Sequence, residues 1–202
     1  MRLFGGDNRG SSSRERTLVQ RPSSGWNVVL QTLREREGQR ILDIGPTSAN
    51  NINLLTTLGH SVYMANVVAE SKDARWSPAD EPFRVKDFLD ETLAFSDRKF
   101  DTVLLWDTTD YLVTDLATEV VARLHDAMAP GAQMLSFFHV KPDDEAHRYH
   151  IREDSQLDVQ QLPTMPVHAV MTNRQIEQMF ASFTTYKFFL AKDNLREVVI
   201  TR

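Results

Sequence analysis

The sequence predicts an α/β fold with a mostly parallel sheet that ends in an antiparallel hairpin. From residue 23 onward, short apolar runs alternate with helical stretches, which favours a parallel sheet covered on both faces by helices. The last two apolar runs, TTYKFFLA and LREVVITR, are separated only by KDN, a connection too short for a parallel crossover. At 202 residues, of which 41% are apolar and 25% are charged, the chain fits one globular domain.

The first 22 residues are predicted to form a flexible basic tail. They contain five arginines and two acidic residues among glycines and serines, a composition typical of a solvated arm. Because the whole chain has a net charge of -5, residues 23–202 carry a net charge of about -8. An acidic domain gives no strong signal for nucleic acid as a partner, although the tail itself could contact RNA or a membrane surface.

The composition excludes several classes of protein. The chain has no cysteine, so neither disulfides nor thiolate metal sites are expected. No segment has the roughly eighteen apolar residues of a membrane span, and the start MRLFGGDNRGSSSRER lacks the apolar run of a signal peptide. These features predict a cytoplasmic protein without a membrane span.

The domain begins with a predicted helix, which is followed by a strand–helix–strand unit. Ser24 is the expected cap of the helix, whose apolar residues recur every three or four positions before REREG ends it. RILDIG is a short apolar strand, residues 46–58 are a turn leading into a helix, and SVYMANV is a second strand. A unit of about thirty residues normally closes as a right-handed parallel crossover.

The alternation of strands and helices continues to the C-terminus. PFRVKDFL is predicted to be a strand with its loop, KFDTVLLWD a strongly apolar strand, DLATEVVARLHDAM an amphipathic helix, and PGAQMLSFFHV a turn followed by a strand. A helix, TNRQIEQMFASF, precedes the terminal hairpin. The predicted sheet therefore contains seven strands.

Residues 139–172 are predicted to be an insertion over the mouth of the sheet. RYHI and LDVQQL flank the turn-forming REDS, which favours a small hairpin. In an enzyme this hairpin would be the substrate lid. His147 and His150 lie in it, but their three-residue spacing suits a helix rather than a strand, and no other histidine is expected to complete a site. The sequence therefore predicts no metal site.

Several matched positions together resemble the class I AdoMet-dependent methyltransferases. ILDIGPTSAN stands where that family has an acidic residue followed by a glycine-rich loop, and Asn66 stands where its second strand ends in an acidic residue. VKDFL resembles the segment whose Asp lies near the adenine amino group, KFDTVLLWD resembles the fourth strand, and MAPGAQMLSFF resembles the approach to the fifth. The resemblance covers roughly residues 26–202. It implies the Rossmann-like class I methyltransferase fold, with a mostly parallel seven-stranded sheet and a C-terminal antiparallel hairpin.

The resemblance implies S-adenosyl-L-methionine (AdoMet) as the cofactor, and the loop itself favours this ligand over a dinucleotide. Thr47 and Asn50 occupy positions where a dinucleotide fingerprint needs glycines near the pyrophosphate, whereas AdoMet has no phosphate. Gly45 would let the loop pass close to the ligand, and Asp43 can orient the ammonium group directly or through water. Thr47 adds a hydroxyl donor, and the turn that contains it is also a candidate helix cap.

The resemblance implies four further cofactor-binding residues, most of them with a structural alternative. Asn66 would hold the ribose with an amide in place of a carboxylate, which gives a weaker bond. Asp87 either contacts the adenine or is an exposed loop acid near Lys86. Phe88 is either a shelf for the adenine or a core residue. Trp106 lies beside the reacting end of the cofactor or continues the apolar strand into the core.

The ends of the fourth and fifth strands are the expected positions of the catalytic residues, because ligands of open parallel sheets bind at the carboxyl ends of strands. This places Asp107, Asp110 and Tyr111 beside the methyl group and His139 at the end of the next strand. His139 is the acid–base candidate by its intrinsic pKa, and Asp107 and Tyr111 are further catalytic candidates. The alternatives are that Asp107 and Asp110 cap the following helix and that His139 is structural.

Two functions follow from this interpretation. The first is an AdoMet-dependent methyltransferase acting on a small molecule or a protein side chain. The second is a non-catalytic relative that uses the fold as a binding or scaffolding module, as the altered loop and Asn66 allow. A dehydrogenase is disfavoured by the pyrophosphate turn. The oligomeric state stays open, since Phe183, Phe188 and Phe189 suit either a core or a dimer face.

Overall fold

The computed structural model describes residues 18–78 and 81–202. Its strands are β1 (Leu18–Pro22), β2 (Arg40–Ile44), β3 (Ser61–Ala65), β4 (Phe100–Trp106), β5 (Met128–His139), β6 (Glu145–Ile151), β7 (Gln156–Thr164), β8 (Thr185–Leu190) and β9 (Leu195–Thr201). Its helices are α1 (Ser24–Glu35), α2 (Ala49–Thr57), α3 (Val67–Glu70), α4 (Val85–Thr92), α5 (Thr114–Ala127) and α6 (Asn173–Met179). Short 3₁₀ turns cover Ala74–Trp76 and Thr108–Tyr111.

The central sheet confirms the predicted α/β fold. Within the described residues it has six strands in the order β3-β2-β4-β5-β9-β8. β3, β2, β4 and β5 run parallel, whereas β9 is antiparallel to both of its neighbours, β5 and β8. The short connection between the last two strands thus forms the predicted terminal hairpin.

The predicted seventh strand is wrong, because the segment PFRVKDFL enters helix α4 instead of the sheet. Phe88 and Leu89 on α4 are buried. Together with Val85 they have spacings of three and four residues, which is the period of a helix face rather than of a strand. Over the described part of the chain, β3 is therefore one edge of the central sheet.

A second, antiparallel sheet of three strands in the order β1-β7-β6 is found among the described residues. β6 and β7 form a hairpin in the segment where the sequence predicts one. Leu18–Pro22, which the sequence assigns to the flexible tail, instead form β1 and pair with β7. Besides this edge of β7, a buried contact holds the segment in place, because the guanidinium group of Arg21 lies against Asp193 and Glu197, far along the chain.

The rest of the predicted tail, residues 1–17, lies outside the described residues. Among the helices that the structure does describe, none has the length and apolar character needed to cross a membrane.

Both faces of the central sheet pack against other elements, as β4 shows. Val103 and Leu105 pack on the side of α4, α5 and α6, while Leu104 and Trp106 pack on the side of α1, α2 and the β6–β7 hairpin. A strand that is buried on both faces needs a continuous apolar run, which FDTVLLW provides. The hairpin therefore closes one face of the sheet beside the carboxyl end of β4.

Candidate functional site

A cavity of about 230 Å³, called the first cavity, lies at the carboxyl ends of β2, β3 and β4. Pro46 follows β2, Asn66 follows β3 and Asp107 follows β4, and all three residues line it. The chain passes from β2 to β3 on one side and reaches β4 on the other side of β2. Ligands of open α/β sheets bind at such a reversal of strand order, so the first cavity occupies the position where this fold predicts a ligand site.

Asp43, near the end of β2, is fully buried and bonded to protein donors. Trp106 Nε1 donates to its Oδ1 at 2.7 Å, and Asn51 Nδ2 donates to its Oδ2 at 3.3 Å. Burial raises the pKa of Asp43, and the hydrogen bond from Trp106 is the largest effect that opposes this rise. The carboxylate that the sequence assigns to the AdoMet ammonium group is therefore already engaged within the protein.

Gly45 has a φ of +146°, in the region that favours glycine. A Cβ at this position would lie 3.4 Å from Cδ1 of Trp106, so the close approach at Gly45 is to that indole ring. Thr47 lies in the turn that follows, and its backbone N–H donates to the Gly45 carbonyl at 2.8 Å. Ser48 then accepts from the backbone N–H of Asn51, which confirms that this turn caps α2.

The β6–β7 hairpin covers this loop and the start of α2 through an aromatic stack and hydrogen bonds. Tyr149 stacks on Trp106 with ring centroids 5.2 Å apart. Asn51 Nδ2 donates to the Tyr149 carbonyl at 3.0 Å, and Asn51 Oδ1 accepts from Ile151 N at 2.9 Å. The place predicted for the amino-acid part of AdoMet is thus closed by protein groups.

Asn66, Asp87 and Phe88, predicted for the ribose and the adenine, lie in different environments. Asn66 lines the first cavity, and its Oδ1 accepts from Ala69 N at 3.2 Å as the cap of α3. Asp87 lies on α4 with an exposed carboxylate 4.0 Å from Arg84 Nη1. Phe88 is fully buried in the core. Asp87 therefore lies where the alternative of an exposed acid places it, and Phe88 lies where the alternative of a core residue places it.

Trp106 ends β4 in a backbone conformation that is rare for a large side chain. Its φ is +53°, in the left-handed region, which costs a non-glycine residue about 1–3 kcal/mol. The pairing of β4 with β5 is also irregular between Leu104 and Trp106. The strand turns here, and Asp107 follows with its side chain at the wall of the first cavity.

Asp107 is buried beneath two tyrosine hydroxyls. Its Oδ2 accepts from Tyr149 Oη at 2.8 Å and from Tyr111 Oη at 3.1 Å. Burial raises the pKa of Asp107, while the hydrogen bond from Tyr149 acts in the opposite direction. Burial, and then the charge of Asp107, raise the pKa of both tyrosines, so their hydroxyls remain protonated donors. Asp107 and Tyr111 line the first cavity together.

His139, the last residue of β5, is fully buried and paired with Asp110. One carboxylate oxygen of Asp110 accepts from the backbone N of His139 at 2.6 Å and lies 2.8 Å from its Nδ1. Burial lowers the pKa of His139, but the hydrogen bond with Asp110 and the charges of Asp107 and Asp110 outweigh burial and raise it. Asp110 thus holds Nδ1–H, and Nε2 points away from this carboxylate.

A second cavity, of about 280 Å³, adjoins the first at His147, which lines both. His139 and Arg21 also line the second cavity. The sequence assigns no role to His147 or Tyr149, because their positions depend on how the hairpin docks on the sheet. The pairing of Asp110 with His139 has only a weak sequence signal, namely two acidic residues placed after one strand and a histidine at the end of the next.

No protein-family model matches the sequence, and no curated protein matches it either. Solved structures do match. An S-adenosylmethionine-dependent methyltransferase from Clostridium acetobutylicum aligns with a TM-score of 0.54 at 9% identity, over 87% of this chain and 89% of that chain. The PH0226 protein from Pyrococcus horikoshii aligns with a TM-score of 0.52 at 13% identity, over 88% of each chain.

Magnesium protoporphyrin IX methyltransferase from Synechocystis, solved with bound SAM, aligns with a TM-score of 0.50 at 13% identity, over 88% of this chain and 77% of that chain. The present chain spans 55% of another matched chain, from Nostoc punctiforme. At these identities the likeness is one of fold. The chain therefore has the fold of the class I AdoMet-dependent methyltransferases.

Proposed function

We propose that this protein is an AdoMet-dependent methyltransferase acting on a small molecule or a protein side chain. The observation that carries the proposal is the first cavity at the carboxyl ends of β2, β3 and β4. This fold is shared with the Synechocystis enzyme that was solved with SAM bound. Asn66 and Asp107 provide polar groups at the cavity wall, where a nucleoside and a reacting centre need them.

The nucleoside part of AdoMet fits the first cavity better than the amino-acid part does. Asn66 offers an amide for the ribose, and Val68 and Ala69 add apolar surface. The amino-acid part needs room near Pro46, whose carbonyl accepts a hydrogen bond from Arg148 Nε at 2.9 Å. Binding of the whole cofactor therefore requires the β6–β7 hairpin to move away from this loop.

The acceptor side of the site is assigned to Asp107, Tyr111 and His139. When bound, AdoMet supplies a methyl group on a sulfonium centre to a nucleophile. The residues of the chain bind and orient that nucleophile and exclude water, which can supply much of the acceleration. Asp107 and Tyr111 line the first cavity, and His139 lines the adjoining one. These polar groups suit an acceptor such as a hydroxyl, which keeps its proton at neutral pH.

A second candidate function, a methyltransferase-like binding module without catalysis, is favoured by the loop after β2. Both oxygens of Asp43 accept hydrogen bonds from protein donors, and Gly45 faces Trp106. If the hairpin stays closed, the first cavity of about 230 Å³ has room for part of the cofactor only, since pockets for drug-sized ligands start at about 300 Å³.

Calorimetric titration with AdoMet, S-adenosylhomocysteine and NAD separates the two candidates. We expect a methyltransferase to bind the first two ligands and not NAD. Once binding is established, an acceptor screen with methyl-labelled AdoMet follows. Binding of none of the three ligands would sink the methyltransferase proposal and leave the binding module.

The substitution Asn66→Asp tests the placement of the ribose. Charge-assisted hydrogen bonds are about twice as strong as neutral ones, so the affinity for AdoMet should rise by about fivefold. The cap of α3 is preserved, because a carboxylate also accepts from Ala69 N. Asp87→Asn is the matched control, since it alters an exposed carboxylate on α4 and should leave the affinity unchanged. This placement would be contradicted if Asn66→Asp left the affinity for AdoMet unchanged, whether or not Asp87→Asn raised it.

A further inference from the structure

We infer that Asp107, His139 and His147 bind a divalent transition-metal ion such as zinc between the two cavities. The three side chains come from the loop after β4, the end of β5 and the middle of β6. One ligand atom of each lies within 4.8 Å of the others. Two imidazoles and one carboxylate form a donor set that such ions prefer.

Two buried ring nitrogens give independent support for a ligand in this cluster. His139 is fully buried, and its Nε2 has no hydrogen-bond partner among the described residues. Nδ1 of His147 is also buried, and it too has no partner in residues 18–78 and 81–202. Buried polar atoms are nearly always paired in native proteins. Other buried polar atoms are unpaired as well, among them Nδ1 of His150. The nitrogens of His139 and His147 differ in that they lie on neighbouring rings with centroids 6.3 Å apart, in one cluster with Asp107, so a single bound group can serve both.

The residues around the cluster hold it in the form that a metal ion needs. Asp110 lies 2.8 Å from Nδ1 of His139 and holds the proton there, so Nε2 is the nitrogen that can give up its proton and coordinate a metal ion. Metal-bound histidines almost always have such a partner on their other nitrogen. Tyr149 donates to Oδ2 of Asp107 at 2.8 Å, and Tyr111 Oη lies 3.1 Å from the same oxygen, so Oδ1 of Asp107 is the oxygen available for coordination.

The backbone of β6 also places His147 at the cluster. The pairing of β6 with β7 shifts in register between Glu145 and His147, and such irregularities re-aim side chains next to functional sites. Zinc lies about 2.0–2.2 Å from its nitrogen and oxygen ligands, so ligand atoms around it are about 3.3 Å apart. The cluster would therefore contract by about 1.5 Å at most when the ion binds.

Charge and access both suit a dication at this position. Asp107 and Asp110 are both buried, and the charge of Asp107 acts on Asp110, so a dication held by neutral imidazoles balances them. Three protein ligands leave a coordination position open, and His147 lines both cavities. An oxygen or sulfur atom of a molecule in either cavity can fill this position.

The metal ion would take over the role that the sequence assigns to His139 as a base, because coordination uses the lone pair of Nε2. A hydroxyl bound to such an ion loses its proton at a lower pH than it does in water. The identity of that hydroxyl as a methyl acceptor rests on the proposed function. The binding of the metal ion does not, since it depends only on the side chains of Asp107, His139 and His147.

The test is titration of the full chain with Zn²⁺ and Co²⁺ after treatment with a chelator. We expect one Zn²⁺ per chain, measured by competition with a chromophoric chelator, and a Co²⁺ absorption spectrum of a four- or five-coordinate site. His147→Gln should weaken Zn²⁺ binding by at least about tenfold. The matched control, His150→Gln, lies on the same strand outside the cluster and should leave the affinity unchanged.

A second variant keeps the test decisive if the first one folds poorly. Asp110→Asn retains the shape of the side chain but weakens its hold on His139, and it should lower the affinity for Zn²⁺ by about ten- to a hundredfold. Zn²⁺ should raise the Tm of the wild type and of His150→Gln, but not that of His147→Gln. The proposal is overturned if the wild type binds Zn²⁺ no more tightly than His147→Gln does. It is also overturned if His147→Gln and His150→Gln lose the same amount of affinity for Zn²⁺. These titrations contain no AdoMet, so their outcome is separate from that of the methyltransferase proposal.

Discussion

His60 is held in one protonation state by two backbone groups. Its Nε2 lies 3.0 Å from the Leu33 carbonyl, and its Nδ1 lies 3.3 Å from the backbone N of Gln39. Only the neutral ring with its proton on Nε2 satisfies both groups, because a proton on Nδ1 would face another donor. Burial accordingly lowers the pKa of His60.

We therefore expect His60 to make the protein less stable as the pH falls from about 7 to about 5. Below a pH of about 6.5 the ring of His60 takes up a proton in the unfolded chain, whereas burial keeps the ring neutral in the folded protein. The free energy of unfolding therefore decreases until the pH falls below the lowered pKa of the folded protein. His60→Gln, whose amide can both donate to Leu33 and accept from Gln39, should flatten this part of the curve. Urea unfolding at the two pH values measures the effect, and equal losses in both proteins would contradict it.

At the residue scale, the sequence predicts where the site residues lie along the strands, but it does not predict their hydrogen-bond partners. Asp43, Asp107 and His139 lie at or just after the strand ends, where the alternation of strands and helices places them. Their partners are distant in sequence: Asp43 bonds Trp106, 63 positions away. Which side chains meet depends on how strands and the hairpin are placed in space, and residue types alone do not encode that placement.

At the scale of elements, the side chain of Asn51 joins helix α2 to the β6–β7 hairpin through hydrogen bonds. Asn51 is 1% exposed, donates to the Tyr149 carbonyl and to Asp43, and accepts from Ile151 N. It is thus bonded to β2 as well as to β6, the strand of the hairpin that packs over it. The attachment of the hairpin depends on this amide because it satisfies backbone groups on β6 that no water can reach.

Asn51→Ala should lower the free energy of unfolding by about 3 kcal/mol, because it removes the partner of two buried backbone groups on β6 and the donor to one oxygen of Asp43. The amide of Ile151 should also exchange with solvent faster. Asn53→Ala, on the exposed face of the same helix, is the control and should change stability by about 0.5 kcal/mol or less. Urea unfolding and hydrogen exchange measure both effects. Similar stability losses in the two variants would show that helix propensity, and not the link to the hairpin, is responsible.

Elements with strong local signals could be predicted, while two that depend on distant contacts could not. The turn signal REDS marks the β6–β7 hairpin correctly, since turn residues fix local structure. PFRVKDFL is too short for its apolar spacing to identify the element reliably, and packing of Phe88 and Leu89 against the core selects the helix. Leu18–Pro22 form a strand because β7 offers an edge to pair with.

At the scale of the whole molecule, the two sheets are joined by a buried ion pair between the beginning and the end of the described chain. Arg21 on β1 lies 2.9 Å from Glu197 on β9 and 2.6 Å from Asp193. The side chains of Arg21 and Glu197 are 8% and 2% exposed. Ser23 Oγ and the backbone N of Gly25 also donate to Glu197. A basic composition suggests a solvated tail, but the last arginine of that tail is an internal counter-ion.

A chain that begins at residue 23 should therefore be less stable than one that begins at residue 18, by about 3–5 kcal/mol. The shorter chain loses β1 and with it Arg21, so Glu197 becomes a buried carboxylate without its ion-pair partner. Glu197→Gln in the shorter chain removes that charge and should recover part of the loss, whereas the edge of β7 exposed by the missing strand stays exposed. Urea unfolding of the three proteins separates the two contributions. If the Gln variant of the shorter chain is no more stable than its parent, the loss comes from strand pairing, and the ion pair does not join the two sheets.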